Sequence, residues 1–304
     1  MPNSNGTLKR QLASLATPEG GFAIVALDQR ESLREMFPPN AGGDLVDDAA
    51  LRAFKTSAAE ILTPYASGVL LDRPYAVTEA KPPMIIAKGC GLILAADVLD
   101  SVRGLGVQSS SLDTQVNVDF IRATGAAAIK LLVIWRRGID HDRGELVDRF
   151  LELADAARVA SFIEGIVRPA PGEEWRSAAE RHTAIIEAAA DLSRGADVYK
   201  AELPGYIRGD LSRVRENAKA LTEVVDGPWV VLSSGVCEPD FADAVTESCA
   251  GGARGFLAGR AIWEDTVSDP CPESALATRS VGRLRRLLDI VKRSRESLAA
   301  EEEN

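Results

Sequence analysis

Histidine is nearly missing from this chain, with two in 304 residues. Zinc and non-haem iron centres usually draw on two or three imidazoles. His141 sits in the polar run RGIDHDRGE and His182 in SAAERHTAIIEAAA, and neither has a ligand set close by in sequence. No metal held by histidine and no cofactor are therefore expected, although an oxygen-ligated magnesium site stays compatible with the composition. Cysteine is sparse as well. Cys90, Cys237, Cys249 and Cys271 show no C-x-x-C spacing and read as reduced thiols. Basic residues are in deficit, 35 Lys and Arg against 45 Asp and Glu, for a net charge of −10. That balance argues against nucleic acid or an anionic membrane surface as partner, because phosphate backbones want a basic face. Apolar runs of membrane-spanning length are absent, and the N-terminus has no apolar signal-type segment, so a cytoplasmic protein is expected. There is no internal repeat and no low-complexity linker. One domain is expected over residues 1–304, with the first 20 or so residues and the tail AAEEEN outside its strand-bearing core.

What the chain does have is a series of short, nearly continuous apolar runs: 22–28, 67–72, 91–97, 128–135, 160–167, 197–203, 229–234 and 255–261. Strands buried on both faces of a parallel sheet read this way. Amphipathic helical patterns lie between most of them, at 50–63, 115–124, 145–159, 178–193, 210–222 and 239–249, with a last one at 276–298. The segment between the second and third runs is interrupted by proline and is the weakest helix candidate. Eight strands alternating with helices predict an α/β fold, a (β/α)8 TIM barrel. An open doubly wound sheet is disfavoured, since no G-x-G-x-x-G follows the first strand.

In such a barrel the chemistry gathers at the C-terminal ends of the strands. The first three runs end in Asp28, Asp72 and Asp97. An N-cap of the next helix is the plain role for each. Asp28 is followed by Gln29 and Arg30, which favours a site role there. More telling are charges inside the apolar runs: Lys130 in the fourth, Glu164 in the fifth, and Lys200 with Glu202 in the sixth. Alternation puts Lys200 and Glu202 on one face. Buried lysines are rare and usually paired, so a structural ion pair is the competing reading for each. A lysine held neutral by burial and a nearby ammonium attacks carbonyls to form a Schiff base, and a carboxylate beside it can move protons. The seventh run closes on Ser233, Ser234 and Gly235, the eighth on Gly259 and Arg260. Taken singly, these are a turn and a helix start. On these two strands together they fit a phosphate site.

These segments resemble a known family. ALDQRESL, IKLLVIW, FIEGIVRP, DVYKAELP, WVVLSSGV and GFLAGRAIW are similar to the class I aldolases of the tagatose-bisphosphate aldolase superfamily. LTPYASGVLLD, IAKGCGLILAAD and VRPAPG point to its sulfofructosephosphate aldolase branch. The resemblance implies Lys200 as the Schiff-base lysine, with Lys130, Glu164 and Asp28 around it and Gln29 in the first-strand motif. It also implies a hold on the C1 phosphate by Ser233, Ser234, Gly235, Gly259 and Arg260. Arg30 and Arg168 are expected at the C6 end, and Glu202 is either a neighbour of the chemistry or a structural partner. Gly165 departs from the family pattern, which has proline there. The implied reaction is cleavage of 6-deoxy-6-sulfofructose 1-phosphate to dihydroxyacetone phosphate and 3-sulfolactaldehyde, in sulfoquinovose catabolism, by a homo-oligomer. Rival readings are a tagatose- or fructose-bisphosphate aldolase, a sugar-phosphate isomerase or epimerase, and a non-catalytic sugar-phosphate-binding barrel.

Overall fold

The structure is a computed structural model that describes residues 11–39, 42–139 and 142–302. His141 lies outside the described residues. The sheet closes on itself from β1 (Phe22–Ala26), β2 (Gly68–Asp72), β3 (Gly91–Ala95), β6 (Ala128–Trp135), β7 (Ala160–Val167), β8 (Val198–Ala201), β9 (Trp229–Val231) and β10 (Gly255–Ala258). Every pairing in the ring is parallel, and β1 joins β10 to complete it. This is the eight-stranded TIM barrel that the apolar runs predict. Five of those runs, the first, third, sixth, seventh and eighth, overshoot their strands at the C-terminal end, where the ladder gives way to loops that carry polar residues.

The outer layer is built by α2 (Asp48–Leu62), α3 (Val118–Thr124), α4 (Arg143–Ala157), α5 (Ala178–Leu192), α6 (Val214–Val224), α7 (Glu238–Ala250) and α10 (Val281–Glu302). Short turns α1 (Glu31–Arg34), α8 (Arg260–Trp263) and α9 (Pro272–Ala275) lie between them. Local chemistry sets the starts. Asp47 accepts from Ala50 N–H at 3.0 Å, Asn117 from Phe120 N–H at 2.9 Å and Ser177 from Glu180 N–H at 3.1 Å. Each satisfies a backbone donor that the first turn leaves open.

Residues 73–90 hold no helix, which matches the broken pattern there. The sequence reading missed a two-stranded antiparallel hairpin, β4 (Asp97–Val102) and β5 (Gly106–Leu112), inserted after β3. Its residues alternate between half-buried and exposed, so it offers no apolar run to detect. Leu99 and Val107 on one face pack on Leu132, Ile166 and Leu232 at the barrel mouth.

The interior splits accordingly. Phe22, Ile24, Leu70, Ile93, Phe162, Val198, Val230 and Leu257 fill the lower barrel, and Leu15 plugs it from below although it precedes the first strand. Above this dry layer the inward positions turn charged. No helix among the described residues is long and apolar enough to cross a membrane.

Candidate active site

Strand pairing decides which charges meet. Lys130 pairs with Phe162 across β6–β7, whereas Glu164 pairs with Lys200 across β7–β8. Register follows the tilted ladder and does not set depth in a closed barrel, so exposure is what sets apart Lys130. It is fully buried, whereas Lys200 keeps 4% of its surface exposed and lines a cavity of about 490 Å³ at the barrel mouth. Asp28, Gln29, Arg30, Glu164, Arg168, Ser234 and Arg260 line the same cavity.

The two lysines are held differently. Lys130 Nζ lies 2.6 Å from Asp28, 3.0 Å from Asp97 and 3.1 Å from Glu164. Among the described residues Lys200 Nζ has one carboxylate partner, Glu164, at 2.9 Å. The same oxygen, Oε2 of Glu164, bridges both ammonium positions. Burial alone would favour the neutral amine at Lys130, but the carboxylates of Asp28, Asp97 and Glu164 outweigh it and hold the group well above the ordinary lysine value. Burial would likewise raise Asp28, but the charges of Lys130 and Lys200 win and hold it below the usual carboxylate range. Lys130 is thus a fixed cation, and Lys200 is the amine a substrate carbonyl can reach.

Asp97 was read as a helix cap, and Asp72 with it; neither caps a helix. Asp97 Oδ2 accepts from Lys130 Nζ at 3.0 Å and from Leu132 N–H at 2.9 Å, while Oδ1 accepts from Arg30 Nη2 at 2.9 Å. It occupies the point where β3 leaves the sheet for the hairpin, so its carboxylate takes over a ladder acceptor's place for Leu132. Asp72 is paired with the fully buried Lys55 of α2 and lies 3.9 Å from Arg30 Nε. Burial lowers Lys55 and raises Asp72, each toward its neutral form. Lys55 escaped the sequence reading, yet it falls on the buried stripe Leu51, Lys55, Ala58, Leu62 of its helix.

Glu202 requires a correction. β8 ends at Ala201, so strand alternation does not extend to it. Its carboxylate accepts from Val167 N–H at 2.7 Å and from Arg181 Nη2 at 2.5 Å, not from Lys200, and it does not line the cavity. Glu202 ties β8 to β7 and α5 rather than binding substrate.

The loops after β9 and β10 come together as expected. Arg260 Nη2 donates to Ser234 Oγ at 2.5 Å, and Gly259 N–H to Ser233 Oγ at 3.3 Å. Gly235 takes a positive φ of 79°, and at Gly259 a Cβ would meet Ala26 O at 2.6 Å and Gln29 Nε2 at 2.8 Å. Arg168 follows β7 and lines the same cavity beside Gly106 of the hairpin. Burial, helped by the guanidinium groups of Arg181, Arg136 and Arg260, pulls Arg168 below the ordinary arginine value against the opposing charge of Glu202. Arg30, which lines the cavity with Arg168, is held by Asp97 and Asp72 on the β1–β2 side. Gln29 Oε1 and Arg30 Nε are buried with no hydrogen-bond partner among the described residues. His182 bonds Tyr206 O at 3.2 Å, outside the cavity lining.

Gly165 is explained by its outward neighbour. A Cβ there would collide with the hydroxyl of Tyr199 and would approach Leu192 at 3.2 Å. The small residue makes room for a large one on the next strand, and Glu164 is fixed by two lysines from the other side.

A barrel with a lysine–glutamate pair at its mouth, and a serine-bearing loop and an arginine after its last two strands, has the makings of an aldolase. The DeoC/LacD family aldolase model matches residues 22–265, and the chain belongs to that family. It is 26% identical over 282 residues to tagatose 1,6-diphosphate aldolase 1 of Streptococcus pyogenes serotype M3, covering 85% of this chain and 86% of the relative. It is 24% identical over 297 residues to tagatose 1,6-diphosphate aldolase 2 of S. pyogenes serotype M1, covering 89% of each. A Schiff-base-forming fructose-1,6-bisphosphate aldolase superposes with a TM-score of 0.64 at 17% identity, over 93% of this chain and 98% of that one. The fructose-bisphosphate aldolase of Plasmodium falciparum gives 0.65 at 13% identity, over 96% of each. At those identities the structural likeness speaks for the fold.

Proposed function

We propose that this aldolase is a class I, Schiff-base enzyme that cleaves 6-deoxy-6-sulfofructose 1-phosphate. The observation that carries the mechanism is Lys200 Nζ, open to the cavity and 2.9 Å from Glu164. Lys200 adds to the C2 carbonyl, and loss of water leaves an iminium. A base removes the C4 hydroxyl proton, the C3–C4 bond breaks, and its electron pair flows into the iminium to give an enamine. Protonation at C3 and addition of water then release dihydroxyacetone phosphate and restore the amine; the aldehyde product is 3-sulfolactaldehyde. Glu164 is the proton carrier, since its Oε2 reaches the reacting nitrogen. Lys130 is the fixed positive charge that favours the ionised form of Asp28 and holds Glu164 in place. Gln29 Oε1, a buried acceptor without a partner, is placed to take a sugar hydroxyl.

The two ends of the cavity differ in charge, which supports the sulfonate. Arg260, hydrogen-bonded to Ser234 and in no ion pair among the described residues, suits the C1 phosphate. On the β1–β2 side, Arg30 is paired with Asp97 and Arg73 with Asp113 at 2.7 Å, while Glu31 and Glu35 also face the cavity. A singly charged sulfonate suits that wall better than a phosphate dianion. The second reading, a tagatose- or fructose-bisphosphate aldolase, rests on the names of the curated relatives. Measuring kcat/KM for the sulfonate against both bisphosphates decides between them, and faster cleavage of a bisphosphate would sink the sulfonate assignment. By resemblance the active form is a homo-oligomer, which a sedimentation measurement would test.

A further inference from the structure

Asp97 reaches in two directions. One carboxylate oxygen holds Lys130 at 3.0 Å and Leu132 N–H at 2.9 Å; the other holds Arg30 at 2.9 Å. Its side chain is fully buried, while that of Arg30 is 12% exposed and lines the cavity. We propose that Asp97 is a specificity-determining residue, which cancels the charge of Arg30 and so limits how much negative charge the far end of the substrate can carry.

The inference rests on the aldolase reading above and adds to it. Arg30 retains donor capacity, since among the described residues only its Nη2 donates a hydrogen bond and the side chain opens to the cavity. What it lacks is uncompensated charge, because Asp97 lies at one edge of the guanidinium and Asp72 lies 3.9 Å from the other. A group arriving at this wall finds hydrogen-bond donors set in a field close to neutral. A neutral or singly charged group is accommodated there. A second unit of negative charge meets Asp97, Glu31, Glu35 and Asp113, where the arginines of that wall, Arg30 and Arg73, are already paired.

The test uses Asp97→Asn, whose amide oxygen can still accept from Leu132 N–H. Turnover is measured for two ketose 1-phosphates that differ only at C6, one a sulfonate and one a phosphate ester. The readout is the ratio of their kcat/KM values within each protein. Any effect of the lost Lys130 contact on the chemical step falls on both substrates and cancels. We expect the phosphate-to-sulfonate ratio to rise roughly tenfold in Asp97→Asn, the order for one added charge in a partly screened site. It should fall in Arg30→Gln, which removes a positive charge from that wall while Asp97 and Asp72 keep Lys130 and Lys55. Should either variant not turn over, the ratio of dissociation constants for the two compounds in a Lys200→Met background gives the same reading. A ratio unchanged in both variants overturns the proposal, whatever happens to kcat. Trapping of dihydroxyacetone phosphate, which has no C6 group, tests the Schiff-base reading separately, so the two failures can be told apart.

Discussion

Glu164 Oε2 lies 2.9 Å from Lys200 Nζ and 3.1 Å from Lys130 Nζ, so a single carboxylate oxygen serves one lysine that the substrate can reach and one that it cannot. The division of labour between the lysines follows from exposure and company. Lys130 is fully buried among Asp28, Asp97 and Glu164, whereas Lys200 is 4% exposed and pairs with Glu164.

If Glu164 carries the proton, Glu164→Gln keeps the shape and loses the base. We expect kcat to fall about 10²- to 10⁴-fold, the usual weight of a positioned acid–base group, with a smaller change in KM. Steady-state kinetics measure this directly. A fall of less than threefold would assign proton transfer elsewhere.

Removing the charge of Lys130 leaves Asp28, Asp97 and Glu164 facing one another in a buried site. Breaking a buried pair from one side costs about 3–5 kcal/mol. Lys130→Met should lose stability of that order in chemical denaturation, while a surface variant such as Lys81→Met should change little.

The pH dependence follows from Asp28, whose folded value is held below its unfolded one by Lys130 and Lys200 against burial. Its contribution to stability is complete above about pH 4, the unfolded value, and disappears as pH falls through the folded value. Lys130 has the opposite sense: its value is raised, so its contribution is complete below about pH 10 and disappears only on further rise. The stability difference between wild type and Asp28→Asn should therefore be flat from pH 6 to 9. It should shrink below about pH 4. Denaturation midpoints across this range check both limbs.

Gly165 tests the packing behind Glu164. Gly165→Ala drives a methyl into the Tyr199 hydroxyl, so a loss of about 1–3 kcal/mol is expected from overpacking. Adding Tyr199→Leu should recover part of it, and a double-mutant cycle with no coupling would show that the contact does not matter.

The ring of strands was readable because parallel strands buried on both faces leave continuous apolar runs. Lys130, Glu164 and Lys200 stood out as charges within those runs. Asp97 did not, because a carboxylate at a strand end is equally suited to a helix cap and because the hairpin it opens alternates polar and apolar. Lys55 lies on the apolar stripe of α2, a signal that was present in the sequence. Glu202 was misplaced because alternation was carried one residue past the end of β8 at Ala201. Arg30 and Arg168 both line the cavity, as the sequence expects, but neither the sequence nor the strand order tells which carboxylates will claim an arginine, and Asp97 and Asp72 claim Arg30.

The most direct test of the Schiff-base mechanism is borohydride reduction of the enzyme in the presence of dihydroxyacetone phosphate, followed by peptide mass spectrometry. Formation of an iminium on Lys200 predicts one covalent adduct, on the peptide containing Lys200, and none in Lys200→Met. An unmodified protein that still turns over substrate, or an adduct on Lys130 alone, would contradict it.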